Sequence, residues 1–274
     1  MTYFIAFSGL LIALIIVRAA LGDTSGILKL EFGYSTTAGN RQINADKIDW
    51  AYFEDETLFA VADGIGPGDK AHTAASVAVH IVSRVFEQTG AASGNPAYFF
   101  MNCFKGVNST ILRYIPDGTA GASLLCAVIK DNLLYYALAG NCQISVFRNG
   151  EMCDLSEGHT FDVLARKAFV RKEIPRIDAL EAANERRLYN FVGKDGFKDL
   201  EMFDTPITLK RGDVILLMTD GVYEFCQSRT MTDILSSKEH CRVIAKRIID
   251  TLEKRNHPEQ DNASIIVVRV NELG

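Results

Sequence analysis

Ala122-Ser-Leu-Leu-Cys-Ala-Val-Ile-Lys130, Asn132-Leu-Leu-Tyr-Tyr-Ala-Leu-Ala139 and Ile144-Ser-Val-Phe-Arg148 follow one another with only a few residues between them. Each run is short, rich in β-branched or aromatic residues and bounded by turn residues, which is how strands read. Lys130-Asp131-Asn132 and Asn149-Gly150 are tight-turn signals, so these middle strands are predicted to form an antiparallel meander. Working outward, further strands are predicted over Leu28–Thr36, Leu58–Asp63, Asp213–Thr219 and Ala263–Val270. Helices are predicted over about Ala71–Gln88, Pro96–Ile115 and Ser237–Lys254, with shorter pieces around Phe161–Phe169 and Ala183–Phe191. In the first helix Ala75, Val77, Val79, Val82, Val85 and Phe86 gather mainly on one broad face. Runs of helices and runs of strands, without steady βαβα alternation, predict an α+β fold of antiparallel sheets with helices packed outside.

The chain has 274 residues, with 29 Lys and Arg against 34 Asp and Glu, a formal charge of −5. With 48% apolar and 23% charged residues the composition is globular, and one domain of about 250 residues accommodates it. The acidic balance argues against nucleic acid as a partner, since phosphate backbones select a basic face. Six cysteines (103, 126, 142, 153, 226 and 241) form no C-x-x-C pair. That excludes a zinc ribbon or a thioredoxin-type motif and reads as mostly buried, reduced thiols.

Tyr3–Val17, YFIAFSGLLIALIIV, is uncharged, and Arg18 follows it. Its fifteen residues fall short of the roughly 20 of a spanning helix, but Arg18 can snorkel and Ala19–Leu21 extend the apolar run. A transmembrane anchor is expected over residues 1–22, joined through Gly22–Gly26 to a domain over 27–274. The positive charges Arg18 and Lys29 follow the run, which places that domain in the cytoplasm. A cleaved signal peptide and a helix packed against the domain are the alternatives.

Three aspartates carry the chemistry. Leu58-Phe-Ala-Val-Ala-Asp63-Gly64 and Val214-Ile-Leu-Leu-Met-Thr-Asp220-Gly221 are apolar strands ending in Asp-Gly, and Asp261-Asn262 opens the last strand. If the last two strands pair antiparallel, Asp220 and Asp261 share one rim of a sheet, and Asp63 can join them. Carboxylates gathered in a cleft stay ionised only beside a compensating cation. Oxygen-only ligands select a hard ion such as Mg²⁺ or Mn²⁺. Two such ions would hold a phosphate oxygen and acidify a water into a nucleophile. Singly, each Asp-Gly is an ordinary turn; the case rests on the three together.

These residues carry a resemblance. Phe59-Ala-Val-Ala-Asp63-Gly64-Ile-Gly66 resembles the D-G-M-G-G segment of the metal-dependent protein phosphatases, the protein phosphatase 2C-like family. Arg41-Gln-Ile-Asn44-Ala-Asp46 is similar to its R-x-x-N-x-D opening, Thr119–Leu125 to its G-T-T segment and Leu134–Gly140 to the strand after it. Gly158-His159 resembles its D-H step, Glu181–Gly193 its flap, Leu209–Glu224 its L-x-x-G-D…S-D-G segment and Asp261-Asn262 its closing D-N. In sequence order these cover roughly residues 28–271.

The resemblance implies a central β-sandwich flanked by helices on both sides (α-β-β-α). It also implies two Mn²⁺ or Mg²⁺ ions at one edge, and hydrolysis of phosphoserine or phosphothreonine in a phosphoprotein, opposing a Ser/Thr kinase. It implies that Asp63 bridges the ions, that the Gly64 carbonyl binds the second, and that Asp220 and Asp261 complete the shell of the first. Asp46 would hold a metal-bound water and Arg41 the substrate phosphate, for which a planar guanidinium is suited.

The chain departs from the pattern in places. Gly140-Asn141-Cys142-Gln143 stands where the family has G-D-S-R, so a weakened or absent third metal is expected. Gly66-Pro67-Gly68 alters the usual G-G, and Ala45 replaces an acid often found before Asp46. All three main acids are present, which favours an active phosphatase over a catalytically inert phosphoprotein-binding module. A nucleotide-binding reading of Gly64-Ile-Gly66 fails at Asp69, an acid at a helix N-terminus that would repel a pyrophosphate. His72 and His80 read as ordinary helix residues and His159 as structural. The charged run Arg166–Glu185 reads as a solvated flap.

Overall fold

The computed structural model describes residues 28–91, 94–184, 186–197 and 199–272. One antiparallel sheet has the order β1 (Leu28–Thr37), β11 (Ala263–Glu272), β10 (Val214–Met218), β6 (Gln143–Arg148) and β7 (Glu151–Asp154). The second runs β2 (Lys47–Phe53), β3 (Glu56–Ile65), β4 (Gly121–Lys130), β5 (Leu133–Ala139) and β8 (Glu201–Met202), with β9 (Ile207–Thr208) also on β5.

The sheets face each other across one apolar layer, in which Phe59, Val61, Leu125 and Leu138 meet Ile144, Ile215, Leu217 and Ile266. The alternate residues of β3, Leu58, Ala60 and Ala62, turn outward beneath α1 (Gly68–Thr89) and α2 (Pro96–Tyr114). Burial on both faces is why this strand reads as an unbroken apolar run rather than an alternating one. The other sheet is covered by α6 (Ser228–Leu235) and α7 (Cys241–Arg255), whose Ile244, Ile248 and Leu252 pack on Leu216, Ile265 and Val267. The layers are therefore α-β-β-α. Short helices α3 (Phe161–Val170) and α4 (Arg176–Glu181) lie between β7 and β8, and α5 (Asp220–Tyr223) follows β10.

Local chemistry sets several boundaries. Asn95 caps α2 by accepting the Tyr98 N–H at 3.1 Å, with Pro96 in the first turn. Arg148 pairs with Glu151 across Asn149 (φ 55°) and Gly150 (φ 87°), the left-handed pair a two-residue hairpin turn requires. Asp131 (φ 52°) alone is left-handed in the two-residue turn from β4 into β5, where Lys130 pairs with Leu133.

Three expectations change. The meander stops after β5, because β6 pairs with β7 and β10 in the opposite sheet. The crossing is made at Gly140 (φ 120°), where any side chain would overlap Ser123. Helix α7 begins at Cys241 rather than Ser237, and the chain before it forms the separate α6. Residues 186–191 are not helical; Leu188 instead bridges to Thr160 and Val192 to Ala122, holding that stretch against β4 and the start of α3. Strand β2 lacked a prediction altogether, and it pairs along β3 from Lys47↔Ala62 to Phe53↔Glu56. The Tyr3–Val17 anchor lies outside the described residues; among those described, no helix is long and apolar enough to cross a membrane. The cysteines are all free thiols, and all but Cys153 are buried.

Phe59 is fully buried between the sheets, with its ring 5.1 Å from that of Phe32. Phe59→Ala is expected to cost about 3–5 kcal/mol, read as a lower denaturation midpoint with an unchanged slope.

Candidate active site

Asp63 and Gly64 sit near the C-terminal end of β3, opposite Ser123 and Ala122 of β4. In the other sheet β10 pairs with β11 as far as Met218↔Ile265, and Thr219 N–H extends the ladder to the Ser264 carbonyl at 3.0 Å. Asp220 therefore opens α5 beside the start of β11, where Asp261 stands, as antiparallel pairing of the two strands requires. Asp46 immediately precedes β2. The two sheets present these ends at one rim. Asp63, Gly64, Asp220, Asp261 and Arg41 line a cleft of about 760 Å³, and Asp46 lies beneath it, 4% exposed.

Buried polar side chains fix the rim. The Asn262 carboxamide accepts the Ala45 N–H at 2.8 Å and donates to the Ala38 and Ile43 carbonyls at 2.9 and 3.1 Å. It thereby pins the loop carrying Arg41 and Asp46 to the loop carrying Asp261. Gln260 donates to the carbonyls of Gly221 and Asp261, both at 3.1 Å. Thr219 Oγ1 donates to Asp46 Oδ2 at 2.8 Å and accepts the Ser264 N–H at 2.9 Å. Gly64 and Gly221 complete the packing: a Cβ on the first would overlap the Ala71 carbonyl of α1, and on the second the Asn262 carbonyl.

The electrostatics are those of crowded acids. Burial, then the negative charges of Asp220, Asp46 and Asp261, push the Asp63 carboxyl well above the ordinary range. Burial raises Asp46 to about 7 against the hydrogen bonds of Ser264 and Thr219, and the charges of Asp220 and Asp261 add to the rise. Burial and the nearby Glu224 push Asp220 up to about 6. Each outer carboxylate turns to a donor of its own. Asp220 Oδ2 accepts from Asn141 Nδ2 at 2.9 Å, and Asp261 accepts a bidentate guanidinium from Arg41 at 2.9 and 2.7 Å. Among the described residues, no three acidic, His or Cys side chains form a ready-made ligand cage as they stand.

The donor set still fits a hard divalent ion. It is made of oxygens only, burial and neighbouring charge raise the carboxyls of Asp46, Asp63 and Asp220, and Oδ1 of buried Asp46 has no hydrogen-bond partner. Sequence reasoning missed the basic mouth of the cleft, Arg186 and Arg187, which follow the charged run Arg166–Glu185 inside the flap-like segment Glu181–Gly193. Arg186 pairs with Glu224, the acid facing Asp220, and Arg187 stacks 5.5 Å over the Phe161 ring. His159 is structural as expected. Burial lowers the pKa of its imidazole, and Nδ1 accepts the Gly140 N–H at 3.1 Å.

A family model described as protein phosphatase 2C matches residues 35–261. The chain belongs to the protein phosphatase 2C family. A curated relative, the serine/threonine phosphatase stp of Listeria innocua, is 23% identical over 223 residues, covering 79% of this chain and 85% of that protein. The S. agalactiae serine/threonine phosphatase shares the fold, with a TM-score of 0.76 and 18% identity over 89% of this chain and 100% of that one. So does the catalytic domain of the phosphatase PstP in complex with two manganese ions, with a TM-score of 0.69 and 21% identity over 89% and 100%. The phosphatase 2C family thus accounts for the sandwich and for the order of the acidic segments along the chain.

The raised carboxyls predict a pH dependence. In the unfolded chain an aspartate titrates near 3.9, whereas Asp46 and Asp220 in the fold hold their protons to about 7 and 6. The folded state binds more protons in that interval. The stabilisation from these groups is therefore complete below about pH 4 and is lost as pH rises through about 6–7. Chelator-treated protein is expected to melt at progressively lower temperature between those limits, with a shallower fall in Asp46→Asn. A melting temperature that rises with pH equally in both proteins would contradict the coupling.

Proposed function

We propose that this chain hydrolyses phosphoserine and phosphothreonine in phosphoproteins, with the rim aspartates holding two Mn²⁺ or Mg²⁺ ions. The convergence of Asp46, Asp63, Asp220 and Asp261 on one cleft beside Arg41 carries the proposal. When bound, such ions supply a Lewis acid for the phosphoryl oxygens and acidify a water into a nucleophile near neutral pH. Asp63, the Gly64 carbonyl, Asp220 and Asp261 are the residues that would hold them. The uncommitted Oδ1 of Asp46 is the acceptor that would orient the attacking water. Arg41 lies at the exposed mouth, where a phosphate dianion competes with Asp261 for the same bidentate guanidinium. The phosphorylated side chain enters from the solvent side of Arg41 and Arg186, and its phosphoprotein would be the product of a Ser/Thr kinase.

Membrane tethering belongs to the same proposal. The uncharged run Tyr3–Val17, with Arg18 and Lys29 after it, would anchor the enzyme with its domain on the cytoplasmic side. Fractionation of full-length and residue-23–274 protein tests this. The full chain is expected with membranes and the shorter one in the soluble fraction; the reverse, or no difference, contradicts the anchor.

Activity is tested on a phosphothreonine peptide. Turnover is expected to require Mn²⁺, to stop with EDTA and to fall at least about 100-fold in Asp220→Asn. Arg41→Ala is expected to act mainly on KM, raising it roughly 10- to 100-fold, the worth of a charge-assisted hydrogen bond. Turnover that survives EDTA, or none from folded Mn²⁺-supplied protein, would refute the proposal; the second result would point to an inert phosphoprotein-binding module.

A further inference from the structure

Asn141 lies on the crossing from β5 to β6, at the rim rather than in either sheet. Its main chain is held without help from its side chain. Asn141 N–H and Cys142 N–H both donate to Ser123 Oγ at 2.9 Å. Gly140 exchanges two hydrogen bonds with His159, giving its N–H to Nδ1 at 3.1 Å and accepting the His159 N–H at 2.8 Å. Tyr223 Oη donates to the Asn141 carbonyl at 2.9 Å. What remains is the carboxamide. Its Nδ2 donates to Asp220 Oδ2, and its Oδ1 is buried with no hydrogen-bond partner, in a residue that lines the cleft.

We propose that Asn141 is a positioning residue for Asp220: its uncharged amide donates to one Asp220 oxygen, so the other is presented to a divalent ion without a further charge at the rim. This role rests on the binuclear reading above. A carboxylate at 141 would be close to isosteric, but it would set acceptor against acceptor and add a charge beside Asp220, Asp63 and Glu224. An alanine would leave the backbone tethers in place and let Asp220 turn. Because the same loop is tied through His159 to the base of the flap, where Tyr189 N–H donates to the His159 carbonyl at 3.0 Å, Asp220 is also referenced to the flap. Groups one step removed from a metal commonly change its affinity by roughly 10- to 100-fold when mutated.

The test is Mn²⁺ titration by calorimetry of the wild-type, Asn141→Ala and Asn141→Asp proteins, with melting of each in EDTA as a control on folding. Wild type is expected to take two ions. Asn141→Ala should melt near wild type in EDTA yet bind at least one ion roughly 10-fold or more weakly. Asn141→Asp should melt lower in EDTA and recover with added Mn²⁺, because its extra acid needs compensation. Wild-type Mn²⁺ affinity and stoichiometry in Asn141→Ala would overturn the positioning role while leaving the binuclear site standing. No Mn²⁺ uptake by folded wild type would overturn both.

Discussion

Four carboxyl groups stand together at the edge of a β-sandwich, and their mutual repulsion is the constraint around which the rest of the molecule is arranged. Asp46 is almost fully buried, and Asp63 and Asp220 lie in the same depression, so each raises the cost of ionising the others. Nothing in the apolar layers beneath requires acids at these positions. A fold that keeps them must either hold protons there or meet cations, and the oxygen-only donor set defines which cations suit.

The rest of the rim keeps those acids in place without neutralising them. Asn262, Gln260 and Thr219 are uncharged, buried, and committed to main-chain groups and Asp46. They fix the loops carrying Asp46, Asp220 and Asp261 relative to one another, while the net charge of the cleft is left unbalanced. Arg41, one of the cations at the mouth, is exposed and pairs with Asp261, a partner it can exchange. Rigid neutral supports under an exposed positive group suit a site that must receive and release an anion. The stiff part is set by packing: Gly221 admits no side chain against Asn262, so the ends of β10 and β11 meet at one separation.

Much of this was legible because the core strands are buried on both faces. Leu58–Asp63 and Val214–Asp220 read as continuous apolar runs ending in an acid, and antiparallel pairing of β10 with β11 was enough to bring Asp220 to Asp261. Other parts left no local trace. Lys47–Phe53 is an edge strand broken up by Lys47 and Asp49, and only its tertiary setting, with Ile48 and Trp50 under one sheet and Ala51 under α1, makes it β. Gly140 looks like any strand-ending glycine, and nothing nearby says that the chain changes sheet there. The work of Asn262 was hidden because its three partners lie 217 to 224 positions away in the chain. Arg186 and Arg187 were hidden because they directly follow the charged run Arg166–Glu185, whose ordinary meaning is a solvated surface.

We propose that Asp63, Asp220 and Asp261 form one binuclear cation site. Anomalous diffraction at the manganese edge, from crystals grown with Mn²⁺, tests it most directly. Two peaks in the cleft are predicted, with Asp63 between them and oxygens of Asp220 and Asp261 within about 2.0–2.6 Å of one, the range of hard-cation ligands. Manganese found only elsewhere on the surface, or a cleft without anomalous density in crystals saturated with the ion, would contradict it.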